Sequence, residues 1–106
     1  MSLTIEFIKN EVESGDYEIS LHADEERIAD DLTIEQIESA LSKCELLEDY
    51  PNDPRGHSCL VLGFTDNDQP VHVVCGKTQQ EKLVLITVYI PTEPKWSDPR
   101  TRGKKE

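Results

Sequence analysis

Three histidines are the residues of this chain best suited to proton transfer, and His72 stands out among them. It lies within an apolar, β-branched segment, where valine or isoleucine would be typical of a strand. Because an unperturbed imidazole has a pKa of about 6.5, His72 could act as a general acid or base at neutral pH. Alternatively, it is a structural histidine that forms a hydrogen bond with Tyr89 or Thr87 on a half-covered sheet face.

The other two histidines have polar neighbours of their own. His22 follows Ser20, a typical first residue of a helix, and could reach a site from there or bond to a backbone carbonyl. His57 follows a loop that contains two prolines and a glycine, and Arg55 in that loop could hold a phosphate through two hydrogen bonds. An ordinary exposed loop is the alternative interpretation.

Aromatic and basic residues near the C-terminus could contact a nucleic acid. Tyr89, Trp96 and Arg100 could form a rim on which a base stacks and which holds a phosphate. Trp96 could instead anchor the segment that follows the last strand. His57, Cys59 and His72 lack the local spacing of a zinc site, so neither a metal nor another cofactor is predicted.

The elements that must position these groups are helices followed by strands. Helical spacing of apolar residues predicts helices over residues 3–14 and 34–43, with an acidic helix over 22–31 between them. Thr33 and Gln36 fit a capping box at the start of the third helix. Strands are predicted over residues 58–64, 71–76 and 83–90. This order predicts an α+β domain with N-terminal helices packed on one face of a mainly antiparallel sheet.

Turns centred on residues 67–68 and 79–80 predict which strand side chains share a face. One face is then wholly apolar and should pack on the helices: Leu60, Leu62, Phe64, Val71, Val73, Cys75, Val84, Ile86, Val88 and Ile90. The opposite face is mixed: Cys59, Val61, Gly63, His72, Val74, Leu85, Thr87 and Tyr89. On this register, Gly63 leaves room above the sheet beside His72.

Length and composition predict one α+β domain over residues 1–98 and a basic, frayed tail over 99–106. No apolar stretch approaches the roughly 20 residues that span a bilayer, and the start lacks the pattern of a secretory signal. The three cysteines contain no Cys-x-x-Cys pair, which favours buried free thiols in a cytoplasmic protein.

The net charge of −11 is unevenly distributed. Residues 1–50 carry fifteen acidic and three basic side chains, a net −12, whereas residues 51–106 carry a net +1. Such an acidic front half disfavours binding of free nucleic acid. It is either a solvated helical surface or a surface for a basic partner.

Several motifs, in order, resemble a family of small bacterial proteins known as domain of unknown function family 4258. They are Ser-Leu-His-Ala at 20–23, Leu-Thr-Ile-Glu-Gln-Ile at 32–37, Glu-Asp-Tyr-Pro-Asn-Asp at 48–53, Ser-Cys-Leu at 58–60, Pro-Val-His at 70–72 and Leu-Ile-Thr-Val-Tyr at 85–89, with Pro91 and Trp96. The resemblance covers residues 19–102, nearly the whole chain.

The resemblance implies a fold similar to RelE- and MqsR-like ribonucleases and a role as the toxin of a bacterial type II toxin–antitoxin pair. Such enzymes activate the ribose 2′-hydroxyl without a metal, and they need a base, an acid and cations on the phosphate. The residues that could fill the catalytic roles are His72, Tyr89, His22 and His57, and those that could bind RNA are Arg55, Arg100, Trp96 and Thr87. The implied partners are a zinc-finger antitoxin of the MqsA/YgiT type and RNA, including mRNA held by the ribosome, with no membrane. The alternative function is a non-catalytic acidic interaction domain.

Overall fold

The computed structural model describes residues 3–103 and has the predicted α+β architecture. The helices are α1 (Ile5–Ser14), α2 (Leu21–Ala29) and α3 (Ile34–Leu41). The strands are β1 (Tyr17–Ile19), β2 (Glu45–Tyr50), β3 (Ser58–Phe64), β4 (Pro70–Lys77), β5 (Leu83–Tyr89), β6 (Trp96–Asp98) and β7 (Thr101–Arg102). The main sheet has the strand order β1-β5-β4-β3-β2, in which only the β1–β5 pair is parallel.

Each helix begins at a hydroxyl residue whose side chain accepts a hydrogen bond from a backbone N–H three residues later. These residues are Thr4, Ser20 and Thr33. The Gln36 side chain also accepts a hydrogen bond from the Thr33 N–H at 2.8 Å, which confirms the predicted capping box. Helix α1 ends at Gly15, whose φ of +76° is a conformation that glycine adopts without strain.

The helices pack on one face of the sheet and form the core with it. Their contribution comes from Ile8, Val12, Ala23, Ile37, Ala40 and Leu41. The sheet contributes Cys59, Val61, Val71, Val73, Cys75, Leu83, Leu85 and Val88. Among residues 3–103, no helix is both long enough and apolar enough to cross a membrane.

The predicted register between β3 and β4 is wrong by one residue. His72 lies opposite Leu62 rather than Gly63. The turn is a three-residue loop, residues 66–68, closed by a hydrogen bond from the Thr65 N–H to the Gln69 carbonyl at 2.9 Å. A one-residue shift moves every β3 side chain to the other face.

This shift exchanges the two predicted faces of β3. Cys59, Val61 and Gly63 lie on the face of the sheet that packs against the helices. Leu60 and Leu62 lie with His72 on the opposite face, which no helix covers and which we call the helix-free face. The prediction that Gly63 leaves room beside His72 is therefore wrong. A Cβ atom at Gly63 would lie 2.1 Å from the Ala40 carbonyl oxygen, so Gly63 instead allows α3 to approach β3 closely.

Two shifts of one residue each act between β4 and β5. The connecting loop is again three residues long, residues 79–81, which moves the pairing by one residue. Near this loop, Leu83 and Leu85 therefore face the helices, in place of the predicted Val84 and Ile86. A bulge between Val74 and Cys75 adds a second residue to the shift.

The two shifts add up to two residues, and side chains two residues apart share a face. The C-terminal end of β5 therefore has the predicted side chains on each face. Tyr89 lies opposite His72, and Thr87 lies opposite Val74. The prediction that His72, Thr87 and Tyr89 share one face is therefore confirmed, although the predicted partner of His72 was Thr87.

Helix α2 covers the edge of β5 beyond the point where β1 ends. The Ser20 hydroxyl donates to the Ile86 carbonyl at 2.8 Å, and the Glu26 carboxylate accepts from the Val88 N–H at 3.0 Å. The Asp30 carboxylate accepts from the Ile90 N–H at 3.2 Å. These side chains satisfy the strand edge that would otherwise lack a neighbour.

We expect Glu26→Ala to lower the free energy of unfolding by about 1–2 kcal/mol, because the N–H of buried Val88 loses its acceptor. The neighbouring exposed Glu25 is the matched control, and Glu25→Ala should change stability by less than about 0.5 kcal/mol. Urea unfolding followed by circular dichroism measures both variants. Equal effects would show that the Glu26 carboxylate does not hold the β5 edge.

Candidate functional site

The His72 imidazole is fully buried, with both nitrogens engaged. Its Nε2 lies 2.7 Å from the carbonyl oxygen of Pro99, and its Nδ1 lies 3.1 Å from the Tyr89 hydroxyl. Because a carbonyl only accepts, Nε2 carries a proton, and Nδ1 of the neutral ring accepts from Tyr89. Burial lowers the pKa of His72 by more than the bond to Pro99 raises it. His72 therefore has the hydrogen bond to Tyr89 that the structural interpretation predicts.

The C-terminal hairpin, formed by β6 and β7, covers His72 on the helix-free face. The indole ring of Trp96 is buried and meets the His72 ring edge-on, with 4.4 Å between ring centroids. The guanidinium of Arg102 lies 4.7 Å from the centroid of the Trp96 ring. Trp96 is thus an anchor, and it is too buried to stack on an RNA base in this conformation.

Two ion pairs tie the C-terminal hairpin to the edge strand β2. Arg100 contacts Glu45 at 2.8 and 3.1 Å, and Arg102 contacts Glu48 at 2.7 and 2.9 Å. Hydrogen bonds from these arginines lower the pKa of both carboxyl groups, that of Glu48 to about 2. Glu48 also accepts a hydrogen bond from the Tyr50 hydroxyl. The hairpin therefore contributes two cations, each held by a carboxylate.

The segment predicted to be a frayed tail starts as ordered structure. β7 pairs with β6, and the Gly103 N–H donates to the Lys95 carbonyl at 2.8 Å. The ion pairs of Arg100 and Arg102 hold this segment to β2. The remainder of the predicted tail, residues 104–106, lies outside the described residues.

The other two histidines, His57 and His22, do not lie near His72 in the structure. His57 contacts Asp49 at 2.5 Å, and Asp49 pairs with Cys59, whose side chain faces the helices. The sheet therefore separates His57 from His72. His22 is 67% exposed and lies 3.3 Å from Glu26 on the surface of α2.

The predicted phosphate ligand Arg55 is also remote from His72. Its side chain is largely exposed, and it forms a 3.4 Å contact with Asp53 in the loop between β2 and β3. By contrast, Thr87 lies on the helix-free face beside the His72–Tyr89 pair and is partly exposed. Of the predicted site residues, the structure brings together His72, Tyr89, Trp96, Thr87 and Arg100 on one side of the sheet.

Three further residues belong to this cluster that were not predicted from the sequence: Arg102, Glu48 and Tyr50. Alternation gives a partial signal, since Glu48 and Tyr50 are two residues apart on β2, as are Arg100 and Arg102 around β7. Their contacts join segments more than fifty residues apart, which no local pattern reveals.

Within residues 3–103, no three His, Cys, Asp or Glu side chains are placed to hold a metal ion. The cysteines Cys44, Cys59 and Cys75 are free and buried, as predicted. Cys59 and Cys75 lie opposite each other across β3 and β4, on the helix side of the sheet. They are therefore remote from the polar cluster on the helix-free face.

The helix-free face thus combines a phenol–imidazole pair with two guanidinium groups. A phenol bonded to an imidazole can relay a proton, and guanidinium groups bind phosphate through paired hydrogen bonds. The hydroxyl of Tyr89 has a raised pKa because of its burial, so it carries its proton at neutral pH.

Comparison with known proteins gives one match. A family model described as "Domain of unknown function (DUF4258)" matches residues 19–90, which include α2, α3 and strands β2 to β5. No curated protein and no solved structure matches the chain. The family match contains His72, Tyr89 and Glu48, and it ends before the C-terminal hairpin. The chain belongs to the DUF4258 family.

Proposed function

We propose that this protein is the toxin of a bacterial type II toxin–antitoxin pair and cleaves RNA without a metal, as RelE- and MqsR-like ribonucleases do. The observation that carries the proposal is the Tyr89–His72 hydrogen bond on the helix-free face. Arg102 lies against the Trp96 ring that covers His72, and Arg100 is bound to Glu45 on the same face. Family membership and the packing of the helices on the other face of the sheet support it.

In the proposed reaction, Tyr89 takes the proton of a ribose 2′-hydroxyl and passes its own proton to His72. The His72 Nδ1 atom is the acceptor, and the Pro99 carbonyl oxygen stabilises the resulting imidazolium through the Nε2–H. The 2′-oxygen attacks the adjacent phosphorus to form a 2′,3′-cyclic phosphate, and the bond to the 5′-oxygen of the next nucleotide breaks. This 5′-oxygen takes a proton from water, and the His72 imidazolium returns its proton through Tyr89 to the hydroxide that remains. Arg102 stabilises the negative charge that develops on the phosphate.

RNA must compete with carboxylates for the cations of this face. When RNA binds in this proposal, Arg100 releases Glu45 and Arg102 releases Glu48, and both guanidinium groups bind phosphate oxygens instead. The net charge of −11 weakens binding to free RNA, so mRNA presented by the ribosome is the substrate in this proposal. The proposal places the protein in the cytoplasm, with a zinc-finger antitoxin of the MqsA/YgiT type as its partner.

The test incubates purified protein with ribosomes that translate a defined mRNA, and primer extension maps new 5′ ends. We expect cleavage by the wild type and a loss of about 100-fold in rate for Tyr89→Phe, which keeps the ring but removes the proton carrier. Arg102→Gln should also slow cleavage.

His57→Ala is the matched control, because His57 lies on the other side of the sheet. It should retain the wild-type rate within about twofold. Circular dichroism spectra must show that the variants are folded. The proposal fails if the folded wild type never cleaves the mRNA, or if Tyr89→Phe cleaves as fast as the wild type.

A further inference from the structure

Helix α2 has the reverse of the usual polarity of a surface helix. The carboxylates of Glu26 and of Asp30, the residue that follows the helix, turn toward the sheet, where they accept hydrogen bonds from the N–H groups of Val88 and Ile90. Its large apolar side chains turn outward instead, since Leu21 is 74% exposed and Ile28 is 58% exposed. A surface helix normally buries its apolar stripe and exposes its charges.

The two exposed residues lie on the same side of α2. They are seven residues apart, so two turns of helix place them about 10 Å from each other along one stripe. Exposed Glu25 lies between them. Leu21, Glu25 and Ile28 together form the outer stripe of α2. An apolar pair with heptad spacing is the pattern by which one helix packs against another.

The charge around the outer stripe selects the kind of partner. Residues 21–31 carry five carboxylates and one arginine, a net −4 with neutral histidine. The arginine, Arg27, is already paired with Asp24 at 2.7 Å. Within the described part of the chain, Glu25 has no ion pair. A cationic surface would therefore complement the outer stripe.

The same charge disfavours a second copy of this chain as the occupant. Symmetric pairing of two α2 helices would place Glu25 and its acidic neighbours against their own copies, in a protein that already carries −11. An anionic membrane surface would repel the stripe in the same way.

We propose that the outer stripe of α2 is a docking surface for an amphipathic helix of another protein, with apolar residues seven apart and flanking lysines or arginines. This surface lies at the β5 edge, whereas the Tyr89–His72 cluster lies on the helix-free face under the C-terminal hairpin. The inference therefore does not depend on RNA cleavage.

The test uses a fluorescein-labelled synthetic helix with leucines at heptad spacing and lysines on the flanks. A second peptide carries glutamates in place of the lysines. Fluorescence anisotropy should show that the lysine peptide binds the wild type and that the glutamate peptide does not. The double variant Leu21→Gln/Ile28→Gln should bind the lysine peptide at least about tenfold more weakly, although its charge is unchanged.

Leu46→Gln is the matched control, because Leu46 is an exposed leucine on the remote edge strand β2. It should bind the lysine peptide like the wild type, and both glutamine variants should unfold at the wild-type temperature. Amide chemical shifts caused by the peptide should concentrate in residues 20–31. Unchanged affinity of the double variant, shifts spread over α1 and α3, or wild-type dimerisation through α2 would each overturn the proposal.

Discussion

Replacing His72 with alanine is expected to lower the free energy of unfolding by about 3 kcal/mol. The change removes a fully buried ring, leaves a cavity beneath Trp96 and leaves the Pro99 carbonyl and the Tyr89 hydroxyl without their partner. Because Trp96 is the only tryptophan, its fluorescence reports on the C-terminal hairpin. In the variant, its emission should shift to longer wavelength before global unfolding, since the hairpin loosens.

His57→Ala is the control for this effect, because His57 precedes β3 on the other side of the sheet and part of its ring is exposed. It should cost less than about 1 kcal/mol and leave the Trp96 emission unchanged. A folded His72→Ala variant with wild-type stability and emission would contradict the role of His72 as the residue that holds the hairpin. It follows that lost activity in His72→Ala alone cannot identify a catalytic group.

Replacing Gly63 with alanine is expected to destabilise the fold by about 3 kcal/mol or to prevent folding. The added Cβ would lie 2.1 Å from the Ala40 carbonyl oxygen and 2.5 Å from its carbonyl carbon, both backbone atoms of α3. No side-chain rotation relieves such a contact, so α3 must move away from β3 and open the core. Urea unfolding and the yield of soluble protein measure the effect.

Gly76→Ala is the matched control on the neighbouring strand β4. Its Cβ would lie 2.8 Å from the Ile86 Cδ1 atom, which is the end of a flexible side chain and can rotate away. We expect this variant to lose less than about 1 kcal/mol. If the two glycine variants were equally stable, α3 would not be pressed against β3 at Gly63.

Local signals in the sequence were sufficient to predict the helices and the fold class. The hydroxyl at Thr33 and the amide of Gln36 identify a helix start through the hydrogen bonds that they form within three residues. Helices before strands indicated an α+β domain, and the structure confirms it. These features depend on contacts between residues that are close in the chain.

The faces of the sheet were harder to predict, because they depend on loop geometry. Both hairpin loops have three residues, and their third residues, Asp68 and Glu81, have φ values of +63° and +65°. Glycine at the third position is the usual signal of a three-residue hairpin loop, and neither loop has a glycine there. The resulting one-residue shift moved Leu60 and Leu62 away from the predicted core face and placed Gly63 under α3.

The candidate site was predictable only in part. The alternation of β5 placed Thr87 and Tyr89 on the face of His72, as the structure confirms. The carbonyl that binds Nε2 belongs to Pro99, 27 residues away, in a segment predicted to be frayed. Contacts of this kind depend on the tertiary fold and leave no periodic pattern in the sequence.

The most direct test of the proposed function is growth and RNA integrity in bacterial cells induced for the wild type and for Tyr89→Phe. We expect the wild type to arrest growth and fragment mRNA, whereas Tyr89→Phe does neither while accumulating as folded protein. Co-expression of a zinc-finger antitoxin should restore growth to cells that carry the wild type. Normal growth with intact mRNA at high levels of folded wild-type protein would contradict the account.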